Sequence, residues 1–303
     1  LGLEPLDVAE AALEALLRLG AVVADELGGD GTRLDQRDAD VAPGHLLAQR
    51  LAEGADRVLG RVVDAAAEAG DAAGEAGALG WMGGCLTQQS RYQEAIEHLQ
   101  AGIAQCEDLG REDLATRSLN YLAIVFEELG DVERALATYE RGLALARWHG
   151  QRELIGRLLA NLGDLYVNLG EPDKALPLLE EGAELLKTLG ELSLYGWCLW
   201  AVARIYDQRG EDSRAWGYYE RSLAAAEQGG ALRTQAEVRT GLGTLLIKRG
   251  EFELGMAQLE KALELAQEAA VRREIFKTQL ALAEAHEAAG DFASALRHFK
   301  EFH

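Results

Sequence analysis

The chain has 303 residues, with 30 Lys and Arg against 51 Asp and Glu, for a net charge of −21. Its 48% hydrophobic content excludes wholesale disorder. The acidity argues against non-specific nucleic-acid binding, which needs a basic face, and no run approaches the roughly 18 apolar residues of a membrane span.

Residues 5–27 read as one amphipathic helix, with Leu6, Leu13, Leu16, Leu17, Val22, Val23 and Leu27 as its apolar members. Residues 28–44 follow as a polar linker rich in Gly and Asp. Its Asp30, Asp35, Asp38 and Asp40 lack the alternating spacing and closing Glu of a helix–loop–helix calcium site, which favours a solvated linker. Residues 45–75 form a degenerate copy of what comes next, placing Ala55 opposite Ala95 and Leu59 opposite Leu99, with Pro43 spoiling its first helix.

From residue 76 to 303 the sequence repeats six times, the last copy truncated. Gly130, Gly170, Gly210, Gly250 and Gly290 fall forty residues apart, each followed by an acid. Gly70, Gly110, Gly150, Gly190 and Gly230 fall midway, with Ser90 and Ala270 filling one slot in each series. Apolar residues at 3–4 spacing between these marks predict helices of about seventeen residues joined by tight turns. Glycine suits the left-handed residue past a helix end, and the acid favours the next helix N-terminus. Pro172 fits a first-turn position; Pro177, further in, predicts a kink or a lost hydrogen bond. The second helix of each block opens with a small residue (Ala95, Ala135, Ala175, Ala215, Gly255, Ala295). Four residues later stands a large one (Leu99, Tyr139, Leu179, Tyr219, Leu259, Phe299), a pattern for closely packed helix pairs.

The block Asn161-Leu162-Gly163 to Tyr166, Gly170-Glu171, Ala175-Leu176 to Leu179-Glu180 resembles the tetratricopeptide repeat in a forty-residue form. The resemblance implies an all-α fold, a right-handed superhelical solenoid of antiparallel helix hairpins. Its concave face, lined by first helices, often holds an extended peptide or a partner helix. Carried onto this chain, the family's groove positions are Arg117, Asn120, Tyr121 and Ile124, then Arg157, Asn161, Asp164 and Asn168. Trp197, Trp200, Arg204 and Asp207 follow, then Glu237, Thr240, Thr244, Lys248, Lys277 and Glu284. Trp197 and Trp200 share a helix face, and exposed Trp and Arg carry binding energy more often than other residues. Arg117, Arg157 and Arg204 offer bidentate donors for a carboxylate or phosphate, and Asn161 can pair with a peptide backbone. The alternative is that Trp200 packs against a neighbouring helix and the arginines pair with Asp164 or Asp207.

No catalytic constellation, metal site or cofactor motif is legible. Cys85, Cys106 and Cys198 are far apart and read as buried free thiols. The six histidines form no ligand pair; His98 and His298 read as boundary residues, and His286 takes a core slot that Tyr or Phe fills elsewhere. The expectation is a non-catalytic module that binds a protein or peptide, with no direct nucleic-acid or membrane contact. The start at Leu1 and the stop at His303 inside an apolar-periodic stretch read as a piece of a longer protein. The resemblance extends to bacterial repeat modules joined to an output domain, which makes a regulatory or sensory part of a cytoplasmic signalling protein the expected setting. A self-assembly scaffold is the alternative, because an open final face would present Phe292, Leu296, Phe299 and Phe302 to a second copy. Residues 1–75 carry −10 of the charge and the repeats −11, so acidity does not single out the groove.

Overall fold

The computed structural model describes residues 60–61, 63–269 and 271–302. The N-terminal helix expected at 5–27, the linker and the opening of the degenerate copy lie outside the described residues. Residues 63–69 are helical, and twelve helices follow. They are α1 (Ala72–Gln88), α2 (Tyr92–Asp108), α3 (Glu112–Glu128), α4 (Val132–Trp148), α5 (Arg152–Asn168) and α6 (Pro172–Leu189). Then come α7 (Leu192–Gln208), α8 (Asp212–Gln228), α9 (Leu232–Lys248), α10 (Phe252–Glu268), α11 (Arg272–Ala288) and α12 (Phe292–Phe302). No strand occurs among the described residues.

The glycines explain the spacing. Gly70, Gly110, Gly130, Gly150, Gly170, Gly190, Gly210, Gly230, Gly250 and Gly290 all have φ between 64° and 83°. At each turn two backbone bonds close the helix end, as where Gly130 N–H donates to the Glu127 carbonyl and Asp131 N–H to the Phe126 carbonyl. This is the Schellman arrangement, which needs a left-handed residue and satisfies carbonyls that the helix leaves bare. The acid after the glycine then becomes the next N-cap. Asp71, Asp131 and Asp291 accept from the backbone N–H of Gly74, Arg134 and Ser294 at 2.9, 3.1 and 3.1 Å. The Glu residues at 171, 191, 211 and 251 make no such bond. The shorter Asp side chain reaches the third amide, whereas Glu contributes only its charge.

Ser90 holds the glycine slot with φ 60°. A side chain in this region is strained by roughly 1 kcal/mol. Ser90→Gly is therefore expected to raise stability by about 1 kcal/mol in urea unfolding. No gain over the parent would show that the turn carries no strain there.

The described residues divide between two compact units, the boundary falling between Leu154 and Ile155. In the first, α1 pairs with α2 and α3 with α4, and the first helices α1 and α3 lie side by side. In the second, α7 pairs with α8, α9 with α10 and α11 with α12; α9 neighbours both α7 and α11. Leu179 of α6 packs on α5 at Gly163. Each unit is an all-α stack of antiparallel hairpins in which first helices stand beside first helices.

Packing follows the small–large pattern. Ala95, Ala135, Ala175 and Ala215 are buried, as are Leu99, Tyr139, Leu179, Tyr219 and Leu259. A close approach joins α9 and α10, where Gly243 and Gly255 face each other. A Cβ on Gly255 would stand 2.8 Å from the Gly243 carbonyl oxygen, so backbone meets backbone there. The helix α6 continues through Pro177, which lacks the backbone donor. Cys106 and Cys198 are buried, and burial pushes their thiols up to about 11 and about 12, while Cys85 is only half-buried. His286 stacks on His298 at 5.5 Å, as Tyr206 stacks on Tyr218 at 5.4 Å two repeats earlier. Burial and the neighbouring His286 hold the His298 imidazole below its ordinary value.

Candidate functional site

The residues expected to line the groove all fall on first helices, and each unit holds its own set. In the first unit, α3 carries Arg117, Asn120, Tyr121 and Ile124. The helix α1 lies against this flank because its small residues admit larger ones: Ser118 fits over Gly80 and the Tyr121 ring over Gly84. Asn120, on the same helix, is buried, which corrects the expectation of an open groove residue. Arg117 stacks its guanidinium on the Trp81 ring at 4.2 Å. The carboxyl of Asp113, at the start of the same helix, is held below its usual range by its hydrogen bond to Arg111.

In the second unit several groove side chains pair with one another. The Arg204 Nη1 donates to Asp164 Oδ1 at 2.9 Å, and Nη2 donates to Asn168 Oδ1 at 3.1 Å. The same guanidinium lies 4.7 Å from the Trp200 ring centroid. Lys248 donates to Asp207 at 2.7 Å, and Arg157 lies 3.9 Å from Glu191. The groove cations Arg204 and Lys248 thus each meet an acid on the preceding first helix, about one repeat back in the chain. Of the two alternatives for Arg204, pairing with Asp164 is what the structure holds, so its charge is already balanced by the chain itself. Asn161 is half-buried beside Asp164 in sequence, one helical turn away on the same α5 face.

Trp197 and Trp200 do share a face, with ring centroids 6.5 Å apart and planes at 25°. Their environments differ. Trp197 is half-buried. Trp200 is 7% exposed and belongs to the core cluster with Val202, Val238 and Leu242. The expectation that both stand open is corrected for Trp200: α9, packed beside α7, supplies the apolar wall that covers it.

A feature that the groove positions alone did not show is a buried charged cluster on α9 and α11. Glu237 and Glu274 are 3% and 2% exposed. Arg233 Nε donates to Glu237 at 3.1 Å, and Lys277 Nζ donates to Glu274 at 2.9 Å. Glu237 Oε2 is buried without a hydrogen-bond partner. Burial raises the Glu237 carboxyl to about 7; Arg233 opposes the rise and Glu274 adds to it. One sequence signal pointed here. Leu114, Leu154 and Leu194 hold an apolar position of the repeat that becomes Thr234 and then Glu274.

The Lys277 ammonium also lies 6.0 Å from the Trp200 ring centroid, although α9 stands between their helices. Side chains of α11 and α7 thus meet over α9, as they do on the inner face of a curved repeat stack. The face of α7, α9 and α11 is therefore concave. Among the described residues no group of three or more His, Cys, Asp or Glu is arranged to hold a metal. None of the described helices is long and apolar enough to cross a membrane.

Family models described as tetratricopeptide repeat match residues 74–147 and 154–228, and a second such model matches 236–268. No curated protein matches the chain at a significant level. Solved structures do. BtubC from P. vanneervenii is 21% identical with a TM-score of 0.52, over 70% of this chain and 87% of that one. Aspartyl phosphate phosphatase F from Bacillus subtilis is 13% identical with a TM-score of 0.65, over 85% of this chain and 64% of that one. A Rap protein complexed with competence and sporulation factor is 13% identical with a TM-score of 0.60, over 98% and 97%. At these identities the likeness is one of fold.

Proposed function

We infer, from the premise that the chain belongs to the tetratricopeptide repeat family, that it is a non-catalytic module binding a protein or peptide along its first helices. The observation that carries this reading is the concave face of α7, α9 and α11, where Trp197 is half-buried beside the stacked Trp200 and Arg204. An amphipathic ring at the edge of a curved, polar face is the arrangement that most often anchors a partner. The paired state of Arg204 and Lys248 shifts the expected recognition away from simple anion capture. A ligand carboxylate or phosphate would have to displace Asp164 or Asp207 first, at a cost in desolvation.

The setting we propose is regulatory: a sensing or docking segment of a longer bacterial cytoplasmic signalling protein, without cofactor and without direct nucleic-acid contact. Arg outnumbers Lys 24 to 6, as in many GC-rich bacterial genomes. The structural likeness to a Rap protein complexed with a factor supports a receptor-like use of the same scaffold.

Binding of native partner fractions or of a peptide library to the chain tests the reading. Trp197→Ala and Arg157→Ala are expected to weaken the retained partner by at least tenfold, as loss of a hot-spot side chain does. Unchanged binding by both variants would remove this face as the site. A second reading, self-association, is favoured by one observation: Phe292 and Leu296 on α12 are 68% and 55% exposed. Sedimentation of Leu296→Glu against the parent separates the two. A dimer abolished by the substitution supports self-association, and a monomer in both discards it.

A further inference from the structure

The concave face of the second unit holds a group of side chains built for an amine. Trp200 contributes a ring from α7, Glu237 a carboxylate from α9 and Glu274 a carboxylate from α11. Both carboxylates are almost fully buried, yet only one oxygen of Glu237 is bonded, to Arg233. Its Oε2 is buried without a partner. A buried acceptor left bare is costly, and a donor brought in by a ligand would remove that cost.

The chain already shows which donor fits. The Lys277 ammonium lies 2.9 Å from Glu274 Oε1 and 6.0 Å from the Trp200 ring centroid, reaching over α9 to do so. An ammonium between a carboxylate and an aromatic face is the arrangement by which proteins recognise primary amines. Lys277 and Arg233 are the two groups that cover the carboxylates, and their side chains are 43% and 54% exposed. Both are long and able to swing into water without disturbing the helices. The buried pieces are therefore fixed, and the covering pieces are movable.

We propose that Trp200, Glu237 and Glu274 form a pocket for a primary amine of the bound partner, a lysine side chain or an amino terminus, and that Lys277 is the chain's own occupant, displaced on binding. The proposal rests on the peptide-binding reading and names what that face selects. The charged form of the Glu237 carboxyl is disfavoured chiefly by burial, which a bound ammonium would offset. Burial and Glu274 hold it at about 7 in spite of Arg233 and Lys277. Arg204 stays on its own partners, the Asp164 carboxylate and the Asn168 amide oxygen, and does not compete for the pocket.

The test uses the full chain and two blocked tripeptides, acetyl-Gly-Lys-Gly-amide and its norleucine analogue, followed by the Trp200 indole N–H signal in NMR titrations. The lysine peptide is expected to shift that signal saturably and the norleucine peptide to leave it unmoved. Lys277→Ala empties the pocket and is expected to tighten the lysine peptide at least fivefold. Glu274→Gln, and separately Glu237→Gln, are expected to weaken it at least tenfold with the helical circular dichroism unchanged. Equal responses to the two peptides, no saturable response even in Lys277→Ala, or insensitivity to both Gln variants would each overturn the proposal. If Trp197→Ala abolishes binding of a native partner while Glu237→Gln and Glu274→Gln leave it intact, the groove stands and the amine pocket falls. If the peptide titrations behave as expected but native binding ignores both Trp197→Ala and Arg157→Ala, the amine pocket stands and the wider peptide-groove reading falls.

Discussion

Trp200→Ala is expected to lose about 3–5 kcal/mol of stability in urea unfolding, the range for truncating a buried aromatic side chain. Trp200 is 7% exposed and packs in one cluster with Val202, Val238 and Leu242. Removing the indole leaves a cavity between α7 and α9 that rigid helix pairs close only in part. It also strips the ring on which the Arg204 guanidinium rests. Trp197→Ala, three residues earlier, is expected to cost only about 1 kcal/mol, because its ring is half-buried. Equal losses for the two variants would show that Trp197 is as much a core residue as its neighbour, and would remove it as the partner's anchor. The contrast also decides how binding data are read. Weak binding by Trp200→Ala combines damaged packing with loss of the proposed pocket wall, whereas weak binding by Trp197→Ala reports a lost contact.

Glu237→Gln is expected to stabilise the protein at pH 8 by up to about 3 kcal/mol and to leave stability at pH 4.5 or below nearly unchanged. Burial raises this carboxyl from an ordinary 4.5 to about 7 in the folded chain. Below 4.5 both folded and unfolded chains hold the proton, and ionisation makes no difference. Between 4.5 and 7 the folded chain keeps a proton that the unfolded chain has released, so stability falls as pH rises. Above 7 the full cost of a buried carboxylate is present. A Gln amide has the same shape and never ionises, so its stability curve lacks that fall. That gain is already net of the pair with Arg233, which opposes the rise. The check is the difference between parent and variant unfolding curves from pH 4.5 to 8. A difference that does not grow with pH would mean that Glu237 is ionised at its ordinary value, with water or Arg233 compensating both oxygens.

The charged ladder along the first helices illustrates what a sequence shows and what it hides. Arg117, Arg157, Trp197, Glu237 and Lys277 recur at one position forty residues apart, so their shared place on the first helices was legible. Their partners were not. Arg204 meets Asp164 and Asn168, forty and thirty-six residues back, and Lys248 meets Asp207, forty-one back. Those choices depend on how far one hairpin is displaced and rotated on the next. Lys277 meets Trp200 across α9, a separation that no period predicts. It follows from the curvature of three stacked helices. Asn120 was placed on the correct helix, yet its burial depends on what packs around that helix, which the repeat period does not state.

The sequence by itself determined the hairpins. Glycine at every twentieth residue, an acid after alternate ones and a small residue four before a large one act within one helix or across one turn, where chain connectivity fixes the geometry. That is why seventeen-residue helices, left-handed turns and the identity of the first helices were legible before any coordinate. Only the tertiary structure decided which groove side chains are sealed, paired or left with an unmet bond. Burial of Trp200, neutralisation of Arg204 and the bare oxygen of Glu237 depend on neighbours brought together by stacking. The physical reason is one of range: backbone signals are strong and local, whereas charges and aromatic rings take whatever partner the superposed repeats bring within a few ångströms.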